Sequence, residues 1–67
     1  MTTIYTISES PTFIQIYATT TTRHAGIVNQ VTSFITVEGG ESVEKSLDRL
    51  KAKHAYKMEH PDFNDHD

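Results

Sequence analysis

The fold is decided at residues 34–50, which read FITVEGGESVEKSLDRL. Up to Val37 the apolar residues alternate with polar ones, the period of two that is typical of a β-strand. After Gly39 and Gly40 the apolar residues recur every three or four positions, which is the period of an amphipathic helix. The stretch therefore predicts a strand, a glycine connector and a helix that begins near Ser42, a favourable N-cap residue.

Upstream of this stretch the composition favours a sheet. All ten threonines lie before position 37, and Thr and Ile are β-branched residues that favour strands. We predict three strands whose short polar connections suit antiparallel neighbours. The strands are Thr3–Ser8, Thr12–Thr20 and Ile27–Val37. The pattern leaves the faces of the first strand undecided, because Ile4 and Ile7 cannot share a face without a bulge.

The predicted helix runs from Glu41 to Met58 and covers the face of the sheet that is rich in Ile and Val. Its apolar stripe consists of Val43, Leu47, Leu50, His54 and Met58. We expect His54 to be a neutral imidazole bonded to a backbone carbonyl or a threonine, with a pH-sensitive switch as the alternative. The predicted fold is α+β: a three-stranded antiparallel β-meander followed by one C-terminal amphipathic helix.

This fold fits a single domain over residues 1–58, with a flexible acidic tail at 59–67. A chain of 67 residues without cysteine has room for one small core, and it forms neither disulfides nor thiolate metal sites. It contains no apolar run of about 18 residues, the length of a membrane span. Because the first residues also lack the features of a signal peptide, we expect a cytoplasmic protein.

The residues that usually carry catalysis are missing. The chain has no nucleophilic cysteine, no phosphate-binding glycine loop and no metalloprotease motif. The paired acids Glu38 and Glu41 fall in a turn, where water should keep their titration ordinary. His60 and His66 of the tail lack the spacing of a structural zinc site. We therefore expect no enzymatic activity, no cofactor and no metal site.

The net charge of −3 conceals a basic segment, because residues 45–57 carry five basic residues against Asp48 alone. Four basic residues at i,i+4 spacing form a ridge along the helix, with Tyr56 on the same arc. This basic ridge consists of Lys45, Arg49, Lys53 and Lys57. Three interpretations stay open: a docking strip for an acidic protein or for phosphates, a solvated face whose Lys stems cover apolar surface, or a surface on which the acidic tail folds back.

One helix covers only one face of a sheet, so the other face is left open. The alternation predicts that it presents Phe13, Tyr17, Val28 and Phe34 among threonines. Exposed aromatic residues of this kind are favoured anchors of protein interfaces. The alternative is that they form cross-strand pairs on a half-wet sheet. A homodimer through this face or through an edge strand would also bury more surface.

The β-β-β-α order resembles, in architecture alone, DNA-binding domains such as those of the methyl-CpG-binding family. Such domains lay the sheet on DNA and read it with Arg and Trp. The predicted strands of this chain contain no Lys or Arg, and the chain has no Trp. The resemblance therefore implies nucleic-acid binding only through the basic helix segment at 45–57.

The sequence as a whole predicts a small non-enzymatic protein-binding module. Chains of this size and acidity are often inhibitors or adaptors of bacteriophages or other mobile elements, and they act by occluding a partner protein. The predicted partner-binding residues are Phe13, Tyr17, Phe34, Lys45, Arg49, Lys53, Tyr56 and Lys57. The alternatives are a nucleic-acid-binding protein that uses the basic helix, and a structural homo-oligomer.

Overall fold

The structure, a computed structural model, describes residues 1–60. Its elements follow in the order β1 (Thr2–Glu9), β2 (Ile14–His24), β3 (Ile27–Thr36) and α1 (Val43–Glu59). The strands form an antiparallel meander with β2 in the centre, and α1 packs on β2 and β3. The predicted α+β fold is therefore confirmed, whereas the predicted tail lies outside the described residues from position 61 onwards.

The connection between β2 and β3 is a tight turn, and the six-residue polar connection that the predicted strand ends at Thr20 and Ile27 imply is wrong. β2 continues to His24, so that Arg23 lies in a strand. Only Ala25 and Gly26 remain between the strands, and their φ angles are positive, at 52° and 80°. Two central residues with positive φ are typical of the type I′ hairpin turn. An alanine in the first of these positions is an unusual turn signal, which is why the pattern indicated a loop.

The register of β1 decides the faces that the sequence left open. Ile7 lies opposite Ile16, and Ile4 lies opposite Thr19. Because Ile16 is buried under the helix and opposed residues share a face, Ile7 lies on the helix side and Ile4 on the other side. The ladder pairs every residue of β1 in turn, so no bulge is needed.

The start of α1 agrees with the predicted cap. Ser42 is the N-cap residue, and its Oγ accepts a hydrogen bond from the backbone N–H of Lys45 at 3.0 Å. Such a bond satisfies one of the N–H groups that the first turn of a helix leaves unpaired. Glu41, which was predicted as the first helical residue, precedes the cap. At its other end α1 runs to Glu59, one residue past the predicted domain boundary.

The core between α1 and the sheet is half apolar and half polar. Its fully buried apolar residues are Ile16, Ala18, Ile35 and Leu50, packed with the half-buried Val37 and Leu47. Its buried polar residues are Thr20, Ser33, Ser46 and His54. Val43 of the predicted stripe is 44% exposed, because Ser46 takes the buried position in that turn. With so little buried apolar surface, the stability of the domain depends on how well the buried polar groups are paired.

No helix within residues 1–60 has both the length and the apolar character needed to cross a membrane.

Candidate functional site

The predicted basic ridge lies along the outer edge of β3. The strand order places β3 at an edge of the sheet, where alternate carbonyl groups point away from β2 and find no strand partner. Three basic side chains of α1 donate to these carbonyls. The bonds run from Arg49 Nη2 to Thr36 O (3.0 Å), from Lys53 Nζ to Phe34 O (2.7 Å) and from Lys57 Nζ to Thr32 O. We call these three contacts the cation ladder.

The cation ladder gives the ridge a structural role that none of the three interpretations from the sequence included. Like charges at i,i+4 spacing destabilise an isolated helix, but here each cationic group lies on a carbonyl dipole. Charge-assisted hydrogen bonds of this kind are stronger than neutral ones. Basic side chains along an edge strand also hinder pairing with another strand. The cation ladder therefore covers this edge of the sheet from Thr32 to Thr36.

The other two residues predicted with the ridge do not belong to the cation ladder. Lys45 is exposed, and its backbone N–H takes part in the helix cap. Tyr56 is 49% exposed, and its ring stacks on His60 with 4.1 Å between the ring centroids. The predicted basic surface is therefore divided into a part that is bound to β3 and residues that lie apart from it.

Arg49 is also bound to Glu41 in the connector before α1. Its Nε and Nη2 donate to the two carboxylate oxygens of Glu41, each at 2.8 Å. The Ser46 hydroxyl donates to the same carboxylate at 2.7 Å, and the Glu38 N–H donates to it at 3.2 Å. The bonds from Arg49 and then from Ser46 lower the pKa of Glu41 from 4.5 to about 2. The expectation of an ordinary titration for Glu41 is wrong, because the folded connector surrounds its carboxylate with donors.

The face of the sheet opposite α1 has no element packed on it within residues 1–60. The register places fourteen strand residues on this open face. They are Thr2, Ile4, Thr6, Ser8, Gln15, Tyr17, Thr19, Thr21, Arg23, Val28, Gln30, Thr32, Phe34 and Thr36. Six of the fourteen are threonines, and the one charged residue among them is Arg23 at the hairpin end, so the rest of the open face is an uncharged surface on which β-branched side chains stand in rows.

An aromatic pair occupies the middle of the open face. Tyr17 lies opposite Phe34, and their rings are stacked with 5.6 Å between the centroids. The Tyr17 hydroxyl donates to Gln15 Oε1 at 2.8 Å, and Lys53 Nζ lies 5.2 Å from the centroid of the Phe34 ring. Both aromatic residues are half-buried. The cross-strand pair that the sequence offered as an alternative is therefore present, and it lies on the uncovered surface.

Phe13, the third predicted aromatic anchor, lies just before β2 in the connection from β1. It is 46% exposed, and its backbone bonds with Ser10 in both directions. Val28 is exposed near the tip of the β2–β3 hairpin. Ile4 is 61% exposed on the open face. Ile4 was not predicted as a residue of this surface because the faces of β1 were undecided from the sequence.

A chain of polar groups crosses the sheet on the helix side, buried at His54, Thr20 and Ser33 and exposed at its Thr3 end. His54 Nε2 lies 2.7 Å from Thr20 Oγ1, and His54 Nδ1 lies 2.8 Å from Ser33 Oγ. Thr20 Oγ1 lies in turn 2.8 Å from Thr3 Oγ1. The predicted bond from His54 to a threonine is confirmed, and a serine on β3 is its second partner. In the sequence, the feature that indicates this network is the presence of His54 in the apolar stripe of the helix together with Ser33 on the covered face of β3.

Within residues 1–60 no group of three or more potential ligands lies close enough together to hold a metal ion. His66 of the metal candidate considered in the sequence falls outside the described residues. In comparisons with protein-family models, curated proteins and solved structures, nothing matched the chain.

Proposed function

We propose that this chain is a small non-enzymatic protein-binding module that acts as an inhibitor or adaptor by occluding a partner protein with its open face. The observation that carries the proposal is a sheet surface that is uncharged around the Tyr17–Phe34 pair and has no covering element within residues 1–60. Aromatic residues are enriched at the centres of protein interfaces, and charged residues are depleted there.

The chemistry of the open face indicates the kind of surface that fits it. Apolar groups of the partner would lie over the Tyr17 and Phe34 rings, and hydrogen-bonding groups would lie over the surrounding threonines. Because the strand residues around the aromatic pair are uncharged and Arg23 lies at the hairpin end, the centre of the partner surface is expected to be uncharged too, since a buried unpaired charge is costly. We do not assign partner steering to the cation ladder, because its charged groups donate to β3. The same contacts lower the support for nucleic-acid binding by the helix.

The test is affinity capture from a host lysate with the tagged protein and two variants that each add one lysine at an exposed position. Thr32→Lys places the new charge on the open face beside the aromatic pair, and Ala55→Lys places it on α1. We expect the unchanged protein and Ala55→Lys to retain the same protein in stoichiometric amount after nuclease treatment. Thr32→Lys should retain at least about tenfold less, which corresponds to about 1.4 kcal/mol.

Circular dichroism spectra of the three proteins should agree, which separates loss of binding from loss of folding. Equal capture by Thr32→Lys and Ala55→Lys would remove the open face from the proposal. Recovery of nuclease-sensitive material alone would contradict a protein partner and return the function to the basic helix.

A further inference from the structure

β1 is the second edge of the sheet, and within residues 1–60 nothing lies against its outer side. All eight of its residues, TTIYTISE, are exposed. Natural edge strands are usually protected by lysine, proline, a bulge or a covering element. β1 contains no lysine, arginine or proline, and its ladder with β2 has no bulge. Its outer backbone groups therefore form a template for one more strand.

We propose that two copies of this chain pair antiparallel through β1 and form a dimer with one continuous six-stranded sheet. Directly opposed residues of antiparallel strands lie on the same face. A two-fold axis also requires that if one residue faces another, the reverse contact occurs as well. The axis must therefore pass a position where a residue faces its own copy. Both helices then lie on the same side of the joined sheet.

The side chains of β1 select the register with Thr6 opposite Thr6 of the second copy. In that register Tyr5 lies opposite Ile7 of the second copy, and the symmetric contact repeats the pair. Aromatic residues opposite β-branched residues are favourable cross-strand pairs. Tyr5 and Ile7 lie on the helix side of the sheet but are 44% and 52% exposed, because α1 lies over β2 and β3. Pairing would bury both residues on both copies.

Charge complementarity supports the same register and a second copy as the occupant. Lys51 Nζ lies over the Tyr5 ring, 5.9 Å from its centroid. In the Thr6-centred register Glu9 of the second copy is the diagonal neighbour of Tyr5 on the same face, about 7–8 Å away. Lys51 of each copy is therefore placed to pair with Glu9 of the other. Glu9 is the only charged residue of β1, so no like charges face each other along the strands.

The first experiment measures the molar mass of the full chain by light scattering over a range of concentrations. We expect twice the mass of one chain at high concentration. In the Lys51→Glu variant, the new carboxylate of each copy lies beside Glu9 of the other copy, at two symmetric places. This repulsion should weaken the dimer by about tenfold. Adding Glu9→Lys to that variant restores opposite charges in exchanged positions, so dimerisation should recover. A structural role of Lys51 within one chain predicts no recovery.

The second experiment tests the register by crosslinking, because the chain has no cysteine of its own. In the proposed register the two copies of residue 6 have Cβ atoms about 4.5–5.5 Å apart. The two copies of residue 4, on the same open face, are about 13 Å apart along the strands. Under mild oxidation Thr6→Cys should therefore form a covalent dimer rapidly, and Ile4→Cys should not.

A monomer at every concentration would overturn the proposal, and equal crosslinking of Thr6→Cys and Ile4→Cys would overturn the register. Failure of the charge exchange to restore the dimer would contradict the Lys51–Glu9 contact. The dimer is independent of partner binding by the open face. Thr32→Lys lies on the opposite edge strand and should leave the dimer intact, so failure of either proposal is recognisable by itself.

Discussion

The two edges of the sheet differ in what lies against them. Three outer carbonyls of β3, those of Thr32, Phe34 and Thr36, accept hydrogen bonds from cationic side chains of α1, whereas β1 is exposed along its whole length. A sheet with two unprotected edges can add strands without limit and form fibres, but a sheet with one unprotected edge stops at a pair. The position of one amphipathic helix, above β2 and β3, makes the two edges of this sheet unequal.

The largest effect on stability is expected when the row of hydrogen-bonded polar groups that joins β1 to β3 across the core is broken. His54→Ala leaves the hydroxyls of Thr20 and Ser33 without their buried partner and also creates a cavity. It should lower the free energy of unfolding by about 2–4 kcal/mol. Urea unfolding followed by circular dichroism measures this loss. Thr3→Val is the matched control at the β1 end of the chain and should cost about 1 kcal/mol; a cost for His54→Ala no greater than this would contradict a central role for His54.

A smaller effect is expected when the protected edge is opened. The double variant Lys53→Met, Lys57→Met keeps the apolar stems but removes two donors to β3 carbonyls. It should lower the free energy of unfolding by about 1–2 kcal/mol and lead to assemblies larger than a dimer. Light scattering and urea unfolding measure the two results. Lys45→Met removes a cation outside the cation ladder and should change stability by less than about 0.5 kcal/mol. If the double variant assembles no further than the unchanged protein, the cation ladder does not protect the edge.

The third prediction concerns how the free energy of unfolding depends on pH. It tests the contact by which Glu41 holds Arg49 of the cation ladder. Glu41, which holds Arg49, has its pKa lowered from 4.5 to about 2 in the folded protein. The ionised carboxylate therefore contributes its full stabilisation above about pH 4.5, and this contribution is lost as the pH falls toward 2. In Glu41→Gln the free energy of unfolding should depend less steeply on pH within this window. Urea titrations at several pH values between 2 and 6 measure the slope, and equal slopes for both proteins would contradict the Glu41–Arg49 contact.

The sequence predicted most of the fold because hydrophobic period and capping are local signals. The change of period near Gly39, the Ser42 cap and the covered residues of β2 and β3 all follow from residues close together in the chain. The tight turn at Ala25 was missed because the sequence carries no Asn-Gly or Asp-Gly signal there. The faces of β1 were undecided because they depend on its register with β2.

The candidate site was predicted less completely, because it depends on contacts between distant residues. Alternation was enough to place Tyr17 and Phe34 together on the open face. The same reasoning indicated a continuous basic ridge but not that Arg49 and Lys53 would bond to β3. The acid strength of Glu41 depends on Arg49, which lies eight residues further along the chain. Whether the open face binds a partner stays a prediction.

The spacing of the cation ladder also limits how far the helix can lie toward the end of β3. Four residues of helix advance about 6.0 Å, and two residues of strand advance about 6.6–6.8 Å. The spacing of the basic residues on α1 therefore nearly equals the spacing of the outer carbonyls on β3. The series also has ends: the next basic residue toward the start of the helix is Lys45, where β3 has already finished at Thr36, and position 61 beyond Lys57 is a proline. A helix displaced by one turn toward the end of β3 would leave Arg49 without a β3 carbonyl and the Thr32 carbonyl without a cation. The cation ladder thus acts as a stop against displacement of α1 in that direction.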